Sequence, residues 1–302
     1  MTSAVKKLTT KPVWWWERSR SYPIRSQFDR LPQLPVEPGP KRFVVLATPD
    51  SFCDAMWTAW SWYRFLQGHG FQLHLVVDGD AGQVAGAAQL FPGVSIESAQ
   101  SLCAYVIERE PRLQSFLLSY PMGRKLALML ALSDRHSVLY SDHDVLAFNA
   151  PSELLACIGR GIACNFMEDV DGTRDPQILE RAQALGLDFI PRFNSGFLFL
   201  PQGSLSMTVA AELLAGWHPP ANSWFAEQTA LAVLLCQAKA EPLPPDRYVI
   251  SARRQFYWEK DVDYEAIVAR HFTGTVRHLM YRYGMPILLR QSRLSESELT
   301  NA

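Results

Sequence analysis

The feature that most constrains the fold is the alternation of short, nearly unbroken apolar runs with longer segments of helical period. Arg42 to Thr48 reads as a first strand. Its centre, Phe43-Val44-Val45-Leu46, is apolar on both sides of the pleat, as in a parallel strand covered by helices on two faces. Phe52 to Gln67 follows, with Trp57, Trp60, Tyr63 and Phe65 on a helical period. Phe71 to Val77 and Val94 to Glu97 read as the next strands. Residues 100–132 read as two helical stretches broken near Pro111 and Pro121, and 137–141 as a further strand. A helix is expected from Pro151, whose ring suits a first helical turn. Ile162 to Asn165 and Gly196 to Leu200 are strand candidates, and Leu205 to Trp217 and Trp224 to Gln237 are expected helices. This alternation predicts an α/β fold, a single Rossmann-like domain with a mixed, mostly parallel central sheet flanked by helices. In such sheets ligands sit outside the carboxyl ends of the strands.

One strand end carries distinctive chemistry. The run Ser137 to Ser141 stops abruptly at Asp142-His143-Asp144. In extended backbone, residues i and i+2 project to one side, so Asp142 and Asp144 are expected to point together while His143 points away. Two hard oxygen ligands there suit a divalent cation that also carries phosphate oxygens. The same spacing recurs at Asp78/Asp80, Asp169/Asp171 and Asp261/Asp263. Those pairs lie in a turn-rich stretch, a polar loop and a charged, aromatic segment. Only Asp142/Asp144 is set between apolar segments on both sides.

A length of 302 residues suffices for one large α/β domain. Residues 1–40, rich in Pro, Arg and aromatic side chains including Trp14, Trp15 and Trp16, read as an extended arm draped on a domain at 41–290, with a flexible tail at 291–302. A formal net charge of -1 leaves no basic footprint for nucleic acid. Met1 to Thr10 lacks a signal-peptide core, and no run approaches a membrane span, so a cytoplasmic protein is expected. Lys6, Lys7, Arg18, Arg20 and Arg25 make the arm basic and compatible with peripheral membrane contact. Cys53, Cys103, Cys157, Cys164 and Cys236 are scattered among apolar neighbours without a Cys-x-x-Cys pair and read as reduced.

Four further segments bear on the acidic pair. Arg124 and Lys125 open the helix before the acidic strand and could bring a cation to a phosphate. Neighbours on a helix are about 100° apart, so one of the two faces the cleft. Asn194-Ser195-Gly196 leads into a strand; Gly196 permits close backbone approach, and Asn194 offers both a donor and an acceptor. Glu227 and Gln228 lie early in an apolar helix, where the macrodipole alone favours an acid. His271 begins the element His271-Phe272-Thr273-Gly274, and an imidazole can complete the coordination of a Mn-type ion beside two carboxylates.

Taken in order, Tyr140 to Leu146, Asn194-Ser195-Gly196, Glu227-Gln228 and His271 to Gly274 resemble the family 8-like nucleotide-sugar glycosyltransferases over roughly residues 42–285. The resemblance implies a single metal-dependent GT-A domain. It also implies transfer of a sugar from a nucleoside-diphosphate sugar, expected to be a UDP-sugar, to a hydroxyl of a glycan, lipid or protein acceptor with retention. By the same resemblance Asp144, Asp142 and His271 hold Mn2+ or Mg2+, and Asp142 also reaches the donor. Lys125 or Arg124 contacts the diphosphate or donor sugar, and Ala47 and Thr48 face the base. Asn194 and Glu227 orient the transferred sugar, and Gln228 sits near the anomeric carbon. Gly274 and Arg277, the nearest basic residue after it, complete the donor-binding set. The chain departs from the family pattern at Ser141, commonly Leu, and in its first loop, Pro49-Asp50-Ser51. Two other readings are a binding module on a degenerate transferase fold and a haloacid-dehalogenase-type phosphatase. The latter usually has Thr or Val where this chain has Leu146.

Overall fold

The computed structural model describes residues 22–79, 84–167, 174–219, 225–250 and 262–300. The three adjacent tryptophans, Asp80, the Asp169/Asp171 pair and Asp261 lie outside the described residues. The described chain opens with 3-10 turns over Tyr22–Arg30, where the sequence suggests extended backbone. It then runs beside the domain, with Leu34 N–H donating to the Leu90 carbonyl and Val36 N–H to that of Pro92. Arg25, one of the basic residues of the arm, is turned inward and buried.

Strands and helices then alternate: β1 (Lys41–Ala47), α1 (Phe52–Leu66), β2 (Phe71–Val77), α2 (Val84–Leu90), β3 (Ser95–Ser98), α3 (Ala99–Arg109), α4 (Gln114–Ser119), α5 (Gly123–Arg135) and β4 (Ser137–Ser141). The second half contains β5 (Val145–Ala147), α6 (Ser152–Arg160), β6 (Cys164–Met167), α7 (Pro176–Ala184), β7 (Phe193–Leu200), α8 (Met207–Leu213), α9 (Ala226–Gln237), β8 (Glu241–Pro242), β9 (Tyr248–Ile250), β10 (Ala269–His271) and α10 (Met285–Thr300). The main sheet has the order β3-β2-β1-β4-β7-β6-β8, and a small second sheet the order β5-β10-β9. The main sheet is mixed and mostly parallel: β7 runs antiparallel to both of its neighbours, β4 and β6. Pro151 is the N-cap of α6 and not a residue of its first turn. The final helix continues through the segment expected as a tail. No helix among the described residues is long and apolar enough to cross a membrane. The five cysteines are all free.

The period-two pattern of β1 shows why the sheet is covered on both sides. Phe43, Val45 and Ala47 pack into one core cluster with Trp57 and Trp60 of α1. Val44 packs into the opposite cluster with Leu126 and Leu130 of α5. Helix α1 does more than cover the sheet. One of its faces fastens the chain that leaves β4. Thr58 Oγ1 donates to the His143 carbonyl at 2.8 Å, and Trp62 Nε1 to the Val145 carbonyl at 3.0 Å. Ser61 Oγ accepts from the Ala147 N–H at 3.1 Å. The Trp62 ring is fully buried and stacks on Phe197 of β7, centroids 4.2 Å apart. Replacing Trp62 with Phe removes the donor to Val145 and leaves a void, at a cost of about 1–3 kcal/mol. The expected result is a lower urea midpoint at an unchanged m-value.

Candidate active site

The acidic pair sits where the main sheet gives way to the small one. Asp142 N–H still donates to the Gly196 carbonyl of β7 at 2.7 Å, but the Val145 N–H closes back on the Asp142 carbonyl at 3.2 Å. Asp142-His143-Asp144 is therefore a tight turn and not a continued strand. The two carboxylates converge through the turn, where the sequence reading has them converge through the pleat. After the turn, β5 pairs with β10 in antiparallel register, opposing Val145 to His271. Phe272 N–H donates to the Asp144 carbonyl at 2.8 Å. This pairing returns a distant imidazole to the acids. One ligand atom from each of Asp142, Asp144 and His271 lies within 4.8 Å of the others.

The imidazole is held in a defined orientation. His271 Nε2 is 3.1 Å from Asp144 Oδ1, and its Nδ1 is 3.0 Å from Asn194 Oδ1. Asn194 Oδ1 also accepts the Gly196 N–H at 2.9 Å, which fixes that atom as the amide oxygen. Nδ1 is then a donor on the ring, and that outer hydrogen bond orients the imidazole so that Nε2 faces the acids, as in metal sites where an outer partner fixes a ring's orientation. Close packing enforces the same placement. A Cβ on Gly196 would stand 2.3 Å from His271 Cε1 and 2.6 Å from Nδ1, so only glycine fits at this point of β7.

Charge is balanced by buried partners. Of the two cations that open α5, Lys125 turns inward and Arg124 stays about half exposed, paired with Asp78. Lys125 Nζ is 3.0 Å from Asp142, 3.1 Å from Ser195 Oγ and 3.7 Å from Glu227 Oε1. Burial opposes its charge, but Asp142 and Glu227 outweigh that effect and hold its pKa above the ordinary lysine value. Tyr140 OH donates to Asp142 Oδ1 at 2.5 Å. Arg277 pairs with Asp144 Oδ2. Burial works against the Asp144 anion, yet Arg277 and His271 prevail and keep its pKa well below the usual carboxylate range. Glu227 goes the other way: burial, only partly offset by Lys125, pushes its pKa up to about 7. Gln228 Oε1 accepts from Asn194 Nδ2 at 3.4 Å and from the Ser195 N–H at 3.3 Å.

A cleft of about 420 Å³ opens beside the turn, with Thr48, Asp54, His143, Gly274 and Arg277 on its walls. Ala47 is buried at the end of β1, and Thr48 caps the turn Pro49–Ser51 by bonding reciprocally with Ser51. Several residues that shape the site were not singled out from sequence. Tyr140 lies two positions before Asp142, a detectable signal of a shared strand face. Ser195 sits between Lys125 and Glu227, donating to Glu227 Oε2 at 3.2 Å. The buried pair Arg25–Asp54, at 2.6 Å, has no local signature, because 29 positions separate its members.

No protein-family model matches the chain, and no curated protein matches its sequence. Similarity appears at the level of structure. The apo crystal structure of mouse xyloside xylosyltransferase 1 superposes with a TM-score of 0.50 at 12% identity, over 78% of this chain and 98% of that one. The apo structure of the bifunctional glycosyltransferase WbbM gives a TM-score of 0.50 at 12% identity, over 86% of this chain and 53% of WbbM. The chain thus has the GT-A glycosyltransferase fold.

Two outcomes follow from this geometry. Gly196→Ala must displace the His271 ring, costing about 1–3 kcal/mol by overpacking. If the Asp142–Asp144–His271 cluster holds a divalent ion, the same shift should weaken ion binding roughly 10–100-fold, read by titration. Gly159→Ala, inside a helix and with nothing within 4 Å of its added Cβ, is the control: it leaves ion binding unchanged and is expected to stabilise by about 0.5–1 kcal/mol. The raised Glu227 pKa makes the folded state bind a proton more tightly than the unfolded chain. Its contribution to stability is therefore full below about 4.5 and is lost as pH rises through about 7. Glu227→Gln should remove that slope from a plot of Tm against pH.

Proposed function

We propose that this protein is a metal-dependent glycosyltransferase. It transfers a sugar from a nucleoside-diphosphate sugar, with uridine the nucleoside expected from the sequence resemblance, to a hydroxyl of a glycan, lipid or protein acceptor. The observation that carries this reading is the convergence of Asp142, Asp144 and His271 at the carboxyl end of β4 in a GT-A fold, beside a cleft of ligand-binding size. Two carboxylates and an oriented imidazole suit Mn2+, and the carboxylates also suit Mg2+. When bound, the ion supplies Lewis-acid neutralisation of the charge that develops on the departing diphosphate.

The chain's own residues do the rest. Lys125 is anchored by Asp142, Ser195 and Glu227 and keeps a permanent positive charge at the donor's side of the acids. Arg277, on the cleft wall, offers the planar fork that phosphate oxygens accept bidentately. Thr48 and His143 border the space for the nucleoside. Glu227, protonated to a substantial degree near neutrality, can both donate to and accept from a sugar hydroxyl. Asn194 acts on the sugar indirectly, since its amide is engaged by His271, Gly196 and Gln228. Gln228 lies against the main chain of Ser195, where the anomeric carbon is placed in this reading. The acceptor hydroxyl attacks that carbon on the face the diphosphate leaves, its proton passing to a phosphate oxygen, and configuration is retained.

Asp144→Ala is expected to lower Mn2+-dependent turnover by on the order of 10²–10³-fold across a panel of nucleotide sugars, the scale of losing one preorganised electrostatic group. Undiminished turnover in that variant overturns the assignment. NMR of the first-formed anomer checks the stereochemistry, and an inverted product refutes retention. A nucleoside diphosphate with Mn2+ at about 100 times its Kd should stabilise the fold by about 2.7 kcal/mol in a thermal-shift assay.

A further inference from the structure

We infer that Arg277 and the divalent ion compete for Asp144, and that a bound diphosphate resolves the competition by taking the guanidinium, so that ion and diphosphate bind synergistically. The inference rests on the reading given under Proposed function and deepens it. Both oxygens of Asp144 have cationic or ring-nitrogen partners, Oδ1 facing His271 Nε2 at 3.1 Å and Oδ2 paired with Arg277. An ion held by Asp144, Asp142 and His271 would share its carboxylate with a guanidinium, and the two positive charges repel at that range. Asp142 cannot relieve the conflict, because Lys125 at 3.0 Å and Tyr140 at 2.5 Å already engage it.

The two cations of the site differ in freedom. The Lys125 side chain is 3% exposed and tied to three partners, which makes it a fixed charge. The Arg277 side chain is 34% exposed and faces the cleft. Its one carboxylate partner among the described residues is Asp144, and its Nε has no hydrogen-bond partner there. It opens a one-turn α-helix, Arg277–Leu279, set between a 3-10 turn at Gly274–Val276 and a π-helical turn at Met280–Gly284. A long planar cation so placed can exchange one carboxylate for the oxygens of a diphosphate, which match its geometry and carry more charge. By linkage, whatever the diphosphate does to ion affinity, the ion does to diphosphate affinity.

The test measures free Mn2+ by electron paramagnetic resonance with the full-length protein, with and without UDP, for wild type, Arg277→Met and Arg277→Lys. In the Met variant, Mn2+ alone should bind roughly tenfold more tightly, while UDP at saturating Mn2+ binds roughly tenfold more weakly, within the usual range of site–site coupling. The Lys variant keeps the charge but loses the planar fork, so Mn2+ alone should bind near wild type while UDP at saturating Mn2+ binds between wild type and the Met variant. Opposite signs from one substitution cannot come from partial unfolding, which would weaken both ligands. If wild type binds Mn2+ and UDP but the Met variant holds Mn2+ alone no more tightly than wild type, the competition is refuted. Asp144→Asn separates the two levels. Mn2+ binding unchanged in that variant overturns the ion site itself, and the inference with it.

Discussion

Three carboxylates, Asp142, Asp144 and Glu227, share one crevice largely out of water, and the cost of that arrangement governs the rest of the site. Unpaired buried charges are among the most destabilising features a fold can contain. Each of the three is offset in a different way. Asp142 has Lys125 and the Tyr140 hydroxyl, Asp144 has Arg277 and His271, and Glu227 sheds part of its charge by holding a proton up to about pH 7. This explains why α5, otherwise apolar along its inner face, buries a lysine at its first turn. It also explains why the acidic turn is fastened so heavily. Charges balanced at about 3 Å stay balanced only if the backbone beneath them cannot shift, and Thr58 and Trp62 of α1 grip that backbone directly.

The second requirement is steric. The imidazole approaches β7 so closely that a methyl group on Gly196 would overlap its ring. One glycine therefore sets both the distance of His271 from the acids and, through its N–H on Asn194 Oδ1, the hydrogen bond that orients the ring. Asn194, which the family resemblance assigns to the sugar, serves this same contact through its Oδ1. The amide orders the imidazole, and through Gln228 extends that order toward the region assigned to the transferred sugar.

How much was legible in the sequence depended on how local the determining forces are. Strands β2 and β4 lie at the residues expected, and β1 within one residue, because a strand buried on both faces writes a continuous apolar run. The three-residue strands β5 and β9 escaped notice, since pairing with distant partners defines them and no periodicity can. Helix α7 was missed as well: its start is marked by Asp175 accepting from the Ile178 N–H, but the short apolar face that follows is modest. At the site, Asp142 and Asp144 were readable from their strand-end context. Lys125 could not be separated from Arg124 until packing showed which one turned inward. Arg25 and Asp54 meet only in three dimensions.

Asp144 and Arg277 are 133 positions apart in the chain. On the ribosome, the acids emerge long before the guanidinium and the imidazole that balance Asp144. Until β10 is released and zips onto β5, that carboxylate has only water to solvate it, so the crevice cannot dry. Pairing of a three-residue strand with β5 is thus the step at which Asp144 exchanges hydration for internal charge balance. Zipping of that small sheet and assembly of the Asp142, Asp144 and His271 cluster are therefore one event.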